Sequence, residues 1–226
     1  MDELFWQTLI LTFQLAATTT FFLLLIGIPL GYYLANTIAK IKPIIEALVS
    51  MPLVLPPTVL GFYLLLVCSP EGMIGGWLVQ HFDIRLVFSF SGLVIGSIIY
   101  SLPFMVQPIQ AGFEHLPRSF SEASYVLGKS RLETLFKVLL PNIKPSLLTG
   151  IVLSFAHTVG EFGVVLMIGG NIPGETRVAS IAVYDEVESL NYGLANQYAL
   201  ILFLFSFFVL LIIYAVNRKS LAKRSK

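Results

Sequence analysis

The sequence predicts an all-α integral membrane protein, and its composition, its apolar stretches and the placement of its charges all point to this class. Of the 226 residues, 56% are hydrophobic and only 12% are charged. The mean hydropathy is +0.84. Soluble domains carry about 25% charged residues, so this balance is typical of a protein embedded in lipid.

Five stretches are long enough to cross a bilayer, which takes about 20 apolar residues in a helix. These nearly charge-free stretches are Leu9–Leu34, Leu48–Cys68, Leu86–Phe113, Pro145–Gly170 and Leu194–Val216. The fourth is the only one that contains an ionisable carboxylate, Glu161. We therefore predict five spans, with a sixth, partial or re-entrant element as an alternative after Gly170.

The basic residues predict the orientation. With the amino terminus outside, the outer segments hold only Arg85 and Arg177 of the 14 Lys and Arg residues. The other basic residues fall inside: Lys40, Lys42, Arg118, Lys129, Arg131, Lys137, Lys144, Arg218, Lys219, Lys223, Arg224 and Lys226. The positive-inside rule then gives an outer amino terminus and an inner carboxyl terminus. Because the first span follows an acidic start, Met1-Asp2-Glu3, we expect a membrane helix there and not a signal peptide.

The chain is expected to form one transmembrane domain, residues 1–226, whose longest polar insert is the central loop (residues 114–144). Ser119 and Glu122 have the spacing of a capping box, which predicts that a short helix opens there. Gly128 suits the left-handed position that closes such a helix. The central loop is therefore expected to be folded.

A second helix is predicted in the same loop. Ser130 and Glu133 form another capping-box pattern, and Pro141 marks the expected end of the helix. Apolar residues recur between them at helical spacing, which predicts one apolar face: Leu132, Leu135, Phe136 and Leu139.

Signs of catalytic or metal chemistry are missing from the sequence. Gly128-Lys129-Ser130 ends like a phosphate-binding loop, but that motif needs a glycine at position 123, which is Ala. The three histidines, His81, His115 and His157, share no metal-ligand spacing, and Cys68 is the single cysteine. We expect a protein that is not an enzyme and holds no cofactor or metal.

The central loop carries the strongest signal. Glu122-Ala123-Ser124, then Gly128, then Val138 and Leu140-Pro141 resembles the signature of ABC importer permeases, with Ser for the second Ala and Val for Ile. The resemblance implies that this loop couples the permease to a partner ATPase. The implied coupling residues are Glu122, Ala123, Ser124, Leu127, Gly128, Leu140 and Pro141.

Two further stretches resemble a branch of this family. Residues 51–63, Met-Pro-Leu-Val-Leu-Pro-Pro-Thr-Val-Leu-Gly-Phe-Tyr, look like the second-span signature of molybdate and sulfate permeases. Residues 160–163 and 170–177, particularly Asn171-Ile172-Pro173-Gly174, look more like the molybdate or tungstate branch. The resemblance covers essentially the whole chain. It implies the type I ABC importer permease fold, a homodimer in the inner membrane bilayer, two cytoplasmic ATPase subunits and an external binding protein, with no nucleic-acid partner.

The glycines, prolines and carboxylate of spans two and four are candidates for the pathway or its gate: Pro52, Pro56, Pro57, Gly160, Glu161 and Gly163. Prolines leave carbonyls unpaired, which is tolerated beside a water-lined cavity or against neighbouring helices. A broken helix beside a pathway and a kink used only for packing are equally open readings. For Glu161 we expect a structural role, bonded to backbone donors or to Arg177, over that of a moving gate residue.

The outer segment that follows is expected to meet the binding protein, with a helix over Val178–Ser189. The candidate contacts are Asn171, Pro173, Gly174, Glu175 and Arg177. A solvated loop without a partner is the alternative.

Together these features predict the permease subunit of an ATP-driven importer that carries molybdate or tungstate by alternating access. A sulfate or thiosulfate permease of the same fold is the nearest alternative. An ATP-independent channel or secondary transporter is a further alternative. It would need intramembrane charges for ion coupling, and Glu161 alone is a poor supply of them. A membrane enzyme is a third alternative, for which the sequence has no nucleophile–base pair or metal-ligand set.

Overall fold

A computed structural model describes the backbone of residues 3–224 and the side chains of residues 3–212. The basic side chains from Arg218 to Lys226, used above for the orientation, lie outside the described residues. Every regular element in the described part of the chain is helical. The α-helices of the first half are α1 (Glu3–Asn36), α2 (Lys42–Ser50), α3 (Pro57–Cys68), α4 (Met73–Phe82) and α5 (Phe90–Glu114). Those of the second half are α6 (Ser119–Val126), α7 (Arg131–Thr134), α8 (Leu140–Asn142), α9 (Lys144–Val159), α10 (Gly163–Gly169), α11 (Ala179–Glu188) and α12 (Tyr192–Arg224).

The number of spans agrees with the predicted class. Four segments of the described chain are long and apolar enough to cross a membrane: Glu3–Asn36, Pro57–Phe82, Phe90–Glu114 and Tyr192–Ile212. A fifth is added if Arg131–Asn142 and Lys144–Val159, which meet at 80°, count as one broken span. The prediction of an all-α membrane protein is confirmed, with four or five spans against the five predicted.

The predicted bounds of the second span, Leu48–Cys68, are wrong. Helix α2 ends at Ser50, a single 3₁₀ turn covers Met51–Leu53, and α3 begins only at Pro57. Pro56 and Pro57 have no N–H to continue the ladder, so the helix must restart at them. The apolar segment long enough to cross the membrane is Pro57–Phe82.

The predicted unbroken fourth span, Pro145–Gly170, is also wrong. Helix α9 ends at Val159 and α10 begins at Gly163, so Gly160, Glu161 and Phe162 form a non-helical connection between them. Non-helical backbone at such a place is tolerated only where protein or a water-lined cavity satisfies its polar groups. The main-chain oxygen of Glu161 meets this condition by accepting a hydrogen bond from the Ser180 hydroxyl.

The centre of the molecule is built from α1, α5 and α9, which pack against one another. Two glycines of α1 lie directly against α5: a β-carbon on Gly27 would come 2.5 Å from Met105 Cγ, and one on Gly31 would come 2.8 Å from Ile109 Cγ2. The small residues therefore let the two helices approach closely. Helix α10 packs on α3 and α5, and α11 packs on α12 and α1.

Candidate functional site

The first helix of the central loop is α6, and its start differs from the predicted capping box. Helix α6 begins at Ser119, so Arg118 occupies the N-cap position, where no side-chain cap is formed. The Ser119–Glu122 box is therefore wrong. Arg118 already has helical backbone angles (φ −58°, ψ −27°), so the chain enters the helix without the extended residue that a capping box needs.

The end of α6 is formed as predicted. Gly128 has φ +75°, a left-handed conformation, and a β-carbon there would meet nothing within 4 Å. The Lys129 N–H donates to the Ser124 carbonyl at 3.1 Å, the long bond of a Schellman closure. Glycine at 128 is needed for its backbone angles and not for lack of space.

A buried hydrogen bond holds the two helices of the central loop together. The Ser124 and Thr134 hydroxyls lie 2.9 Å apart, and both residues are buried. Ser124 therefore points inward toward the second helix. This contact was missed from the sequence, where Ser124 was named only as a coupling residue.

The second helix is continuous over Arg131–Asn142 and contains a π turn at Leu135–Leu139. Its start is capped as predicted, since the Ser130 hydroxyl accepts a hydrogen bond from the Glu133 N–H at 3.2 Å. It ends one residue after Pro141, close to the expected position.

The apolar face of this helix is divided lengthwise. Leu135 and Leu139 are buried in the cluster that contains Ile109. Leu132 and Phe136 remain 69% and 59% exposed. The protein core covers only one edge of the face and leaves the other edge free.

Most of the predicted coupling residues are accessible. Glu122, Ala123, Leu127, Gly128 and Pro141 are exposed, Leu140 is half-buried, and only Ser124 is buried. Ala123 and Leu127 share a shallow, mostly apolar depression of about 420 Å³ with Phe120 and Val138. Leu127 is 77% exposed and the preceding Val126 87%, and adjacent exposed apolar side chains on a polar loop indicate a surface that another molecule can cover.

The pathway candidates from spans two and four meet in the structure. Pro57, at the start of α3, lies against Gly163, at the start of α10: a β-carbon on Gly163 would come 2.7 Å from Pro57 Cβ. Pro52 is buried in the 3₁₀ turn, whereas Gly160 is exposed. The break before α3 and the break before α10 are thus packed against each other.

Glu161 is buried (3% exposed), but its predicted partners are wrong. Neither carboxylate oxygen has a hydrogen-bond partner among the described residues. The Ser97 hydroxyl lies beside the carboxylate without hydrogen-bonding geometry. Arg177 is turned toward α11, whose carboxylates bind it in place of Glu161.

A polar cluster next to Glu161 was not found from the sequence. Ser101 Oγ lies 2.8 Å from His157 Nδ1 and 3.1 Å from Thr158 Oγ1, so α5 and α9 are joined by side-chain hydrogen bonds. The His157 ring packs between Tyr100 and Phe104, with centroid distances of 4.7 Å and 4.1 Å. No pattern around Ser101 predicts this contact, because Ser101 and His157 are 56 positions apart in the sequence.

The outer segment forms the predicted helix, since α11 spans Ala179–Glu188 with Val178 and Ser189 as its caps. Asn171, Pro173, Gly174 and Glu175 are exposed just before it. The N–H of Ala179 donates to the Thr12 hydroxyl of α1 at 2.8 Å, which caps the helix from a distant part of the chain.

Arg177 lies beneath this surface and not on it. Its guanidinium is 10% exposed and binds Asp185 and Glu186 at 3.0 Å each. It therefore holds the start of α11 to the middle of the same helix. On the exposed side, the hydrogen bond that Tyr184 donates to Glu188 raises the pKa of the tyrosine above its ordinary value.

A metal centre is not indicated. Within the described residues, no group of three or more His, Cys, Asp or Glu side chains could hold a metal ion. What the arrangement offers is an accessible loop on one side, a pair of broken helices in the middle and an exposed segment on the other side.

Comparisons with known proteins agree with this arrangement. A family model described as the binding-protein-dependent transport system inner membrane component matches residues 27–221. The molybdenum transport system permease protein ModB of Azotobacter vinelandii is 47% identical over 209 residues, which are 92% of each chain. The sulfate transport system permease protein CysT of Salmonella typhimurium strain LT2 is 34% identical over 78% of this chain and 62% of its own.

The fold also matches that of a solved structure. A bacterial alginate ABC transporter, solved in complex with an alginate pentasaccharide-bound periplasmic protein, has a chain that superposes with a TM-score of 0.76. The match covers 97% of this chain and 80% of that chain at 18% identity. At this identity the similarity establishes the ABC importer permease fold alone.

Proposed function

The chain belongs to the family of binding-protein-dependent transport system inner membrane components, and we propose that it is the permease subunit of an ATP-driven importer of molybdate. The observation that supports molybdate as the substrate is the similarity to the Azotobacter vinelandii molybdenum permease along nearly the whole of both chains. Tungstate has the same tetrahedral shape and charge and is included in the proposal. The protein lies in the inner membrane and has no ATPase site of its own.

The proposed assembly has two copies of this permease, two ATPase subunits and an external binding protein. The central loop, residues 114–144, contacts the ATPase through Glu122, Ala123, Leu127 and Gly128. Their exposure, and that of Leu132 and Phe136, supports this contact, because large apolar side chains on a polar loop gain from being covered. Ser124 acts from below by holding α6 against the second helix.

The binding protein contacts the opposite surface. Asn171, Pro173, Gly174 and Glu175 are accessible for it, and Arg177 supports them by fixing α11. Transport proceeds by alternating access: ATP closes the ATPases, the central loops move with them, and the packed breaks at Pro57 and Gly163 separate or close the pathway. Binding of ATP and docking of the binding protein both favour the outward state, so each strengthens the other.

A sulfate permease is the second candidate, because the Salmonella typhimurium sulfate permease is also similar to this chain. Deletion of the gene under trace molybdate separates the two. We expect cell molybdenum and tungsten, measured by elemental mass spectrometry, to fall while sulfur stays constant. A fall in sulfur with unchanged molybdenum would contradict the molybdate proposal and favour the sulfate one.

A further inference from the structure

A cavity of about 520 Å³ lies between the end of α1 and the central loop. Its polar lining comes from three elements: Tyr32 and Asn36 of α1, Arg118, Ser121 and Tyr125 at α6, and Arg131 at the start of α7. None of the residues that line it is acidic. We call it the loop cavity. It is separate from the coupling residues, the packed breaks and the outer segment described above.

The loop cavity contains positive charge without a counter-charge. Arg118 and Arg131 both line it, and neither forms an ion pair within the described residues, whose ion pairs are those of Lys42, Lys137 and Arg177. Both residues are exposed, so their charges are accessible to an anion that enters the cavity from solvent. Arginine presents several N–H donors in a planar fork, which matches the oxygens of a phosphate group.

Hydroxyl groups complete the set of donors. Tyr32 and Tyr125 line the cavity together with Arg131. A phenol hydroxyl is neutral and can donate a hydrogen bond to an anionic oxygen. The cavity thus offers two cations and two neutral donors from helices that are distant in sequence.

The position of the cavity indicates where its ligand comes from. Tyr32 and Tyr33 are in the last turns of the first span, at the level where aromatic side chains mark the membrane surface. Basic pockets between membrane helices bind acidic lipid headgroups. The space is several times larger than one phosphate group needs, which leaves room for the glycerol part of a headgroup.

We propose that the loop cavity binds a tetrahedral oxyanion group, carried by an anionic phospholipid headgroup or free in solution as phosphate or molybdate. The ligand lies between Arg118 and Arg131 and accepts hydrogen bonds from Tyr32 and Tyr125. Because one wall belongs to α1 and another to α6, the bound ligand ties the ATPase-facing helix to the first membrane span. A lipid at this place makes the position of α6 depend on the composition of the membrane.

The test is retention of lipid by the purified full-length permease in native mass spectrometry. The protein in mild detergent is mixed with phosphatidylglycerol or phosphatidylcholine, and wild type is compared with R118Q/R131Q. We expect wild type to retain phosphatidylglycerol over phosphatidylcholine and the double variant to lose about tenfold in bound phosphatidylglycerol, as the loss of charge-assisted hydrogen bonds predicts. The matched control is Lys40→Gln, which removes an exposed charge nearby that does not line the cavity.

A second measurement distinguishes the source of the oxyanion. Inorganic phosphate or molybdate is added to the lipid-free protein, and the thermal unfolding midpoint is recorded. A rise in wild type that is missing in R118Q/R131Q would identify a free oxyanion as the ligand. Equal lipid retention in both proteins, together with no midpoint rise for either anion, would overturn the proposal. Since both readouts are of binding, they do not depend on whether the transported substrate is molybdate.

Folding of the double variant is checked separately. Elution as a single species on size exclusion, with the same helical content as wild type by circular dichroism, shows that the lost binding is local. The single variants R118Q and R131Q then show whether both guanidinium groups contribute. If neither single variant nor the double variant changes binding, the arginines do not form the site.

Discussion

Gly163 lies so close to Pro57 that a β-carbon built on the glycine would stand 2.7 Å from the β-carbon of the proline. Both residues occupy the first turn of a helix that restarts after a break, α10 for Gly163 and α3 for Pro57. The contact therefore joins the two irregular places of the membrane domain. Any larger residue at 163 must push these helix starts apart.

We expect Gly163→Ala to lower the thermal unfolding midpoint of the purified protein, because overpacking of this kind costs about 1–3 kcal/mol. Gly160→Ala is the matched control. A β-carbon on Gly160 would meet only carbonyl oxygens of its own helix, at 3.8 Å or more. The same unfolding midpoint in both variants would mean that α3 and α10 can move apart at residue 163 without loss of stability.

Gly128→Ala is expected to weaken association with the ATPase while membrane insertion stays normal. Alanine at φ +75° costs about 1–2 kcal/mol in backbone strain, which disturbs the end of α6 but no other contact. Gly128→Asn should be milder, since asparagine tolerates this conformation. Co-purification of the ATPase with each variant measures the effect, and an equal loss for alanine and asparagine would rule out backbone strain as the cause.

Ser124→Ala is expected to destabilise the central loop by about 1–3 kcal/mol, because it leaves the buried Thr134 hydroxyl without a partner. Thr134→Val should cost a similar amount for the same reason. The double variant should recover part of the loss, since both polar groups are then removed. Thermal unfolding of the two single variants and the double variant completes the cycle; strictly additive losses would show that the two hydroxyls do not interact.

Arg177→Gln is expected to loosen α11, since Asp185 and Glu186 lose their shared cation. Hydrogen exchange of peptides from residues 179–188 should become faster by about tenfold or more, as the loss of a mostly buried ion pair predicts. Arg85→Gln removes an exposed arginine elsewhere and serves as the control. Unchanged exchange in Arg177→Gln would show that the Thr12 cap alone holds the helix.

Glu161→Gln is expected to raise the unfolding midpoint and to lower the rate of transport. A buried carboxylate without hydrogen-bond donors is costlier to keep charged than an amide of the same shape, and Glu161 lies in the break that precedes Gly163, beside the proposed pathway. Reconstituted uptake and thermal unfolding are measured on the same preparation. A variant that is indistinguishable from wild type in both would leave Glu161 with neither a structural nor a gating role.

Most features that depend on neighbouring residues were predicted well, and the Ser119–Glu122 capping box is the exception. The helix over residues 178–189 and the left-handed Gly128 follow from local spacing and from the conformational freedom of glycine. The proline-rich opening of the second span left a broken helix and a packing kink equally open, and the structure has a break there, with the span itself beginning later. In each case the deciding interactions lie within one or two turns of the chain.

Features that depend on distant contacts were not predicted. The break at residues 160–162 is set by the packing of Gly163 on Pro57 and by the Ser180 hydrogen bond to the Glu161 main chain. The choice of Arg177 between Glu161 and the carboxylates of α11 depends on which way the outer segment folds. A membrane sequence with few charges gives little periodicity, so such pairings become visible only in three dimensions.

Helix α1 reaches from the outer segment to the central loop. Near one end the Thr12 hydroxyl caps α11, and near the other end Tyr32 forms a wall of the loop cavity. The helix between them is about 30 Å long at 1.5 Å per residue. Because α1 is continuous between these two contacts, we expect a displacement of α11 by a docked protein to move Tyr32 as well. Pro29, one turn before Tyr32, has no N–H to donate, so the helix that joins the two contacts lacks one of its hydrogen bonds just before the cavity.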